Sequence, residues 1–376
     1  MALKIDISKA YDRVDWGFLR GVLMRMGFNE KWIQWMMVCV SSVTYSVFMN
    51  FDRVGPIVPG RGLRQGHLLS PYLFILVAEG LSTLIHKAIN RGDIHGVQLC
   101  RGVPVVSHLL FADDCFFFCR ENVVETHHLL TILKTYEEAS GQEINSSKSE
   151  VFFSHKMSGA AQEDLSRIIG VRHVMGTGKY LRLPSMIGRD KRSIFSFIKD
   201  RIWKRINAWR GRALSKAGKE VMIKSVLQSI PSYIMSIYVL LNSIIDDIEM
   251  MMNAFWWGGM SNNRWIKWMA WERVACPKEF CGMGFSNFKA FNLAMVAKQG
   301  WSFLSKPESL VTRVFKSRYF PHSSFLGAKL GYNPSIAWRS IWNSRELLLH
   351  GSRWTIGNGQ HVSVMNDPWV RGVQGS

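Results

Sequence analysis

Residues 108–119 read HLLFADDCFFFC. Two acids stand side by side in a run that is otherwise almost wholly apolar. Such a run predicts strands with a buried face, where an unpaired charge is costly. Asp is also a common turn residue. The stretch therefore reads as two β-runs meeting at Ala112, Asp113 and Asp114, a hairpin with the acids at its tip. Two explanations stand open here: the acids face solvent at a turn, or something positive sits against them.

The flanking sequence sets this hairpin in an alternation of strands and helices. ALKID (2–6) is short and mostly apolar and predicts a strand ending at Asp6. Residues 8–28 place Tyr11, Val14, Phe18, Leu19 and Val22 at helical spacing, with Gly27 at the end. EKWIQWMMVCVSSV (30–43) predicts a second helix. TYSVFMNFDRVGPIVPGRG (44–62) predicts strands separated by Gly and Pro turns. Ser70 and Pro71 open a long helix that Gly92 follows. A helix near 122–140 comes next, then SGQEINSSKSEVFFS (140–154), a loop leading into a strand. The pattern is α+β, helices packed on one sheet.

The chain has 376 residues, enough for two or three domains. Lys and Arg number 47 against 28 Asp and Glu, a net charge of +19. Such an excess points to a polyanion, nucleic acid first and an anionic membrane surface second. Over half of it falls in residues 182–224, where thirteen basic residues oppose Asp190, Asp200 and Glu220. Ile194, Ile198, Ile202 and Ile206 make an apolar stripe there, so the basic residues occupy the other faces of a helix. With Trp203 and Trp209 interleaved, that helix reads as facing nucleic acid rather than only solvent. Ten of the 15 Trp lie between 256 and 369. At irregular spacing they weigh towards core filling over base stacking.

Six cysteines without a CxxC pair predict reduced thiols in an intracellular protein. Cys276 and Cys281 lack the partners of a zinc site. The start, MALKIDISKAYD, has no signal-peptide pattern. The most apolar stretch is interrupted by Glu79 and is expected not to span a membrane.

If the strand ending at Asp6 lies beside the hairpin, three carboxylates meet at one sheet edge. Three acids do not stay ionised together without cations. Hard divalent ions such as Mg²⁺ bind through a few carboxylates together with substrate phosphates. A pair of such ions, roughly 4 Å apart, serves in-line displacement at phosphorus.

At these residues the sequence resembles the reverse transcriptase of plant LINE-type (non-LTR) retrotransposons. KIDISKAYDRV (4–14) resembles the family's first palm motif and FADD (111–114) its metal-binding hairpin. RGLRQGHLLSPYLFIL (61–76) resembles the motif between them. SGQEINSSKSEVFFS (140–154) and KYLRLPSMIGR (179–189) resemble the two that close the palm. The likeness continues through LSKAGKEVMIKSVLQSIPSYIMS (214–236), FWWG (255–258) and WRSIW (338–342), in the family's order and over nearly the whole chain.

The resemblance implies a right-hand polymerase palm, an antiparallel sheet with packed helices, over 1–185. A basic helical thumb over 186–255 and a mostly helical Trp-rich region over 256–376 follow. It implies an intracellular enzyme working in cytoplasm and nucleus on an RNA template, a DNA primer and dNTPs, with no membrane. Protein partners are left unnamed. Two Mg²⁺ would be held by Asp6, Asp113, Asp114 and the Ile7 carbonyl, with Mn²⁺ as an alternative. Tyr11 falls where the family keeps an aromatic beneath the incoming sugar, a ring that clashes with a 2′-OH. Arg64 would meet phosphate, and Gln65 and Gly66 the nascent pair and template. Lys148 matches the family's lysine near the leaving pyrophosphate. Tyr180, Leu181, Leu183 and Pro184 would form the primer grip.

The chain also departs from the family. It starts almost on top of Asp6, so a truncated copy lacking most of the fingers is expected. The family has Asp-Pro where this chain has His67 and Leu68, Gly where it has Arg182 and Cys281, and Pro where it has Leu241. Two other readings stand beside the polymerase: a non-catalytic nucleic-acid-binding remnant, and an intron maturase.

Overall fold

A computed structural model describes residues 1–154, 156–174, 179–181, 183–184, 190–209, 214–258 and 266–353. The chain divides into two compact units. One is Met1–Leu99 with Pro104–Leu181, the other Cys100–Val103 with Arg182–Ser376.

The first unit is built around β1 (Ala2–Ser8). Leu3, Ile5 and Ile7 are buried, so the intervening Lys4, Asp6 and Ser8 lie on the opposite face. The chain then passes through α1 (Trp16–Arg25), α2 (Glu30–Ser41), the hairpin β2 (Tyr45–Met49) and β3 (Asp52–Ile57), and α3 (Ser70–Arg91). Next come the hairpin β4 (His108–Phe111) and β5 (Asp114–Phe118), then α4 (Val123–Ser140). Strands β6 (Glu143–Ile144) and β7 (Glu150–Phe152), helix α5 (Gly159–Ile169), and strands β8 (Arg172–His173) and β9 (Lys179–Tyr180) complete the unit. The main sheet has the order β4-β5-β1-β7-β8, with β6 pairing the far end of β1. All of these pairs are antiparallel except β7 with β8.

One face of the sheet is the core. Leu3, Ile5, Ile7, Cys115, Phe117 and Val151 pack there with Leu19 and Leu23 of α1, Phe74, Val77 and Leu81 of α3, and Leu129 and Leu133 of α4. By length and composition alone, the 22-residue α3 could cross a membrane. Here it buries its apolar stripe in the core, and Gly92, at φ 80°, ends it as expected. Helix α1 is shorter than its periodicity suggests. Asp15 is its N-cap and accepts from the Phe18 amide at 2.7 Å, so the helix starts at Trp16. Residues 9–13 turn instead of coiling, which puts Tyr11 on a loop at the end of β1.

The second unit is mostly helical. After β10 (Leu183–Pro184) come α6 (Lys191–Ala208), α7 (Lys216–Met222), α8 (Ser229–Met235) and α9 (Asn242–Trp257). Short α10 (Trp271–Val274) leads to α11 (Phe288–Ser305), α12 (Leu310–Tyr319), α13 (Ile336–Asn343) and α14 (Arg345–Gly351). Helix α6 buries Phe195, Ile198, Ile202 and Ile206, so Phe195 takes the core place expected of Ile194. A division at 255/256 falls inside α9. Phe255 and Trp256 belong to the same core as Ile198, Ile244 and Phe288, so the helix runs on. Trp256, Trp271 and Trp338 are buried, as core filling requires, whereas Trp268 and Trp301 are exposed.

Candidate active site

The hairpin tip is as tight as a hairpin can be. Strand β4 ends at Phe111 and β5 begins at Asp114, leaving Ala112 and Asp113 as the loop. Ala112 has φ 50°, the left-handed region in which two-residue hairpin turns place their first loop residue. Asp113 is therefore an exposed turn residue, while Asp114 is the first residue of the strand. The Ile7 amide donates to the Asp113 carbonyl at 3.3 Å and ties the tip to β1.

Asp6 stands directly opposite Asp114 in the β1–β5 register. Cys115 and Phe117 are buried, so Asp114 and Phe116 share the open face with Asp6 and Lys4. Burial raises the Asp114 carboxyl above its usual range. Lys4 opposes that shift, and the charges of Asp113 and Asp6 add to it. Lys148 brings its ammonium to 3.9 Å from Asp6. It sits on a turn in which Ser149 Oγ donates to the Asn145 carbonyl and accepts from the Asp6 amide, at 2.8 and 3.2 Å.

Among the described residues, no three His, Cys, Asp or Glu side chains converge closely enough to hold a metal ion unaided. The oxygens on this edge are nevertheless hard donors that repel one another. They suit a hard divalent ion that completes its shell with water and substrate phosphate.

Tyr11 lies flat on Phe74, ring centroids 4.5 Å apart and planes 12° from parallel. Burial, then the charge of Asp113, raises its phenol above the usual range. Gln65 Nε2 donates to Asp12 Oδ1 at 3.1 Å, and Gly66 takes φ 82°. Asp12, Arg64 and Gln65 line an open cavity of about 530 Å³ with Arg61, Tyr45 and His67. The three acids do not line it. Tyr180 packs edge-on to Phe116 at 4.6 Å, which brings it to the open face two residues from Asp114. Leu181 ends the first unit at φ 46°, and Leu183 packs in the core of the second. Arg182 lies outside the described residues, as does the side chain of Pro184.

Two neighbours of the site carry no expectation from sequence. Lys4 is two residues before Asp6 on an alternating strand, a spacing that already puts both on one face. Gln142 is buried beside the Tyr11 loop, and nothing local signals that contact.

An antiparallel sheet backed by helices, with carboxylates opposed at one end of its central strand pair, defines a polymerase palm. Residues 1–181 match the family described as Reverse transcriptase (RNA-dependent DNA polymerase). An uncharacterized mitochondrial protein of Arabidopsis thaliana is 41% identical over 143 residues, 38% of this chain and 93% of that protein. A putative ribonuclease H protein of Arabidopsis thaliana is 31% identical over 195 residues, 50% of this chain and 31% of that protein. The Retrovirus-related Pol polyprotein from type-1 retrotransposable element R2 of Popillia japonica is 28% identical over 153 residues, 39% of this chain. The chain spans 20% of that polyprotein's length. Over residues 1–181 the chain belongs to the reverse transcriptase family.

Proposed function

We propose that this chain is an RNA-directed DNA polymerase that adds dNTPs to the 3′-OH of a DNA primer on an RNA template, acting inside the cell. The observation that carries this reading is the register of Asp6 against Asp114 on the open face, with Asp113 at the adjoining tip. Asp6, Asp113, Asp114 and the Ile7 carbonyl would hold two divalent ions, Mg²⁺ or Mn²⁺. Bound there, the ions would lower the pKa of the primer hydroxyl and neutralise charge on the phosphates.

The chain's own groups do the rest. Lys148, near Asp6 but largely exposed, donates a proton or a positive charge to the departing pyrophosphate. Tyr11 presents a fixed ring beneath the incoming sugar and excludes a 2′-OH, the group that separates ribose from deoxyribose. Arg64, Gln65 and Gly66 meet phosphate, nascent pair and template. Tyr180, Leu181, Leu183 and Pro184 seat the primer end. Positioning and charge supply the acceleration, since in-line nucleotidyl transfer needs no nucleophilic side chain.

Residues 1–185 then act as palm and 186–255 as thumb. Arg201, Trp203, Lys204 and Arg205 are exposed on α6 and offer the thumb a basic face with an aromatic among the cations. Residues 256–376 continue as the Trp-rich region of this family.

Primer extension on an RNA template with Mg²⁺ and dNTPs tests the reading, with Asp113→Ala as control. Extension that disappears in the variant supports the enzyme. RNA binding without extension, unaffected by the substitution, supports a non-catalytic remnant.

A further inference from the structure

The loop that carries Tyr11 is held by four consecutive residues at the end of α4. The Asp15 amide donates to the Ser140 carbonyl at 2.8 Å. Gly141, at φ 71°, comes so close to the Arg13 carbonyl that a Cβ would stand 2.8 Å from it. Gln142 Nε2 donates to the Ala10 carbonyl at 2.8 Å, and Gln142 Oε1 accepts from the Tyr136 hydroxyl at 2.6 Å. Glu143 pairs with the Arg13 guanidinium at 2.5 Å. The same loop takes bonds from the segment before α3. The Gly62 and Leu63 amides donate to the carbonyls of Val14 and Tyr11, each at 2.7 Å.

Gln142 differs from its neighbours in this clamp. It is 3% exposed, it acts through its side chain, and both ends of its amide are used. A polar group this deep is costly unless paired, and one fully paired specifies a single local geometry. What it specifies is the backbone at Ala10, immediately before Tyr11. Phe74 fixes the face of the Tyr11 ring, and Gln142 fixes the chain from which the ring projects.

We propose that Gln142 is a positioning residue. It holds the Ala10 carbonyl, fixes the loop beneath Tyr11, and thereby sets how strictly the site rejects ribonucleotides. The inference rests on the reading of Tyr11 given under the proposed function.

The test uses the full chain with Tyr136→Phe combined with Gln142→Met, which removes the buried polar pair while keeping its volume. Tyr136→Phe alone retains the bond to Ala10 and is the control. Amide hydrogen exchange in peptides covering residues 9–15 and 61–66 should speed up in the double variant and stay unchanged in the control. Exchange in β1 and β5 should not change. The ratio of kcat/KM for dNTP over rNTP should fall on the order of tenfold, the scale of one lost hydrogen bond. Gln142→Asn, whose amide is too short to reach Ala10, should lower the ratio in the same way without adding apolar surface. Unchanged exchange at 9–15 overturns the proposal, and so does a loss of rate equal for dNTP and rNTP. A wild-type chain that extends no primer overturns the polymerase reading instead, and exchange then still decides whether Gln142 holds the loop.

Discussion

Asp6 and Asp114 face each other across the β1–β5 pair, on the side of the sheet turned away from the core. Directly opposed residues in an antiparallel pair have Cβ atoms about 5 Å apart, and like charges in that position repel. The register leaves no room for drift. Leu3 opposes Phe117 and Ile5 opposes Cys115, and these four side chains are buried. A slip of one residue would turn Asp6 into the core. The fold thus imposes a juxtaposition that lowers stability, and the divalent ions proposed above would offset it.

Asp114→Asn should accordingly stabilise the chain in a chelator by about 0.5 kcal/mol while abolishing extension. The sign of the pH effect follows from the raised carboxyl of Asp114. The folded chain keeps that proton to higher pH than the unfolded chain, so this group's contribution is present in acid and lost as pH rises through the folded value. Thermal unfolding in EDTA across the acidic range should show a shallower loss with rising pH in the Asn variant.

Glu125 should behave in the opposite sense. It is 5% exposed. Burial works against its charge. The His95 and Arg120 amides, the His95 ring and the Asn122 amide outweigh that and hold the carboxyl below its ordinary 4.5. Its contribution is full above that value and is lost as pH falls through the lowered folded value. Glu125→Gln should cost about 2 kcal/mol at neutral pH and flatten the acid limb of the stability curve. Urea unfolding between acid and neutral pH measures both.

Cys281 sits at φ 60°, just past the short turn Lys278–Phe280. A side chain in that conformation costs about 1 kcal/mol relative to glycine. The resemblance expects Gly at this position, and the backbone at Cys281 has the left-handed shape that favours it. Cys281→Gly should raise the urea midpoint by an amount equivalent to about 1 kcal/mol, with the m-value unchanged.

Nucleic-acid binding should weaken with salt in proportion to the cations engaged. Replacing Arg201, Lys204 or Arg205 by Ala should each reduce the slope of log K against log salt by about 0.9 on duplex. Lys199 is tied to Asp247 at 2.8 Å, so Lys199→Ala should change the slope less. Fluorescence anisotropy over a salt series distinguishes the two cases.

Much of this site was legible in the sequence because its signals are local. An apolar run broken by two acids fixes a hairpin, alternation fixes the faces of β1, and Ser70, Pro71 and Gly92 bound α3. Periodicity alone overextends helix α1, since Tyr11 and Val14 continue its period and only the Asp15 cap breaks it. Phe255 and Trp256 bury on the same core as residues fifty positions earlier, so the proposed 255/256 boundary lies within α9, a long-range packing that no local pattern reports. Gln142 acts on Ala10 across 132 residues, and no local pattern reports such a contact. Cys281 and Leu241 show the converse. Where the resemblance expects Gly and Pro, the backbone takes values those residues favour: φ is 60° at Cys281 and −65° at Leu241.

The most direct measurement is RNA-templated extension of a DNA primer, with Mg²⁺ titrated against wild type, Asp6→Asn and Asp114→Asn. The account predicts Mg²⁺-dependent extension by the wild type and a fall of roughly a thousandfold or more in both variants, the scale of a lost electrostatic catalytic group. RNA binding should persist in all three. Extension that survives both substitutions, or that proceeds equally well without a divalent ion, would contradict it.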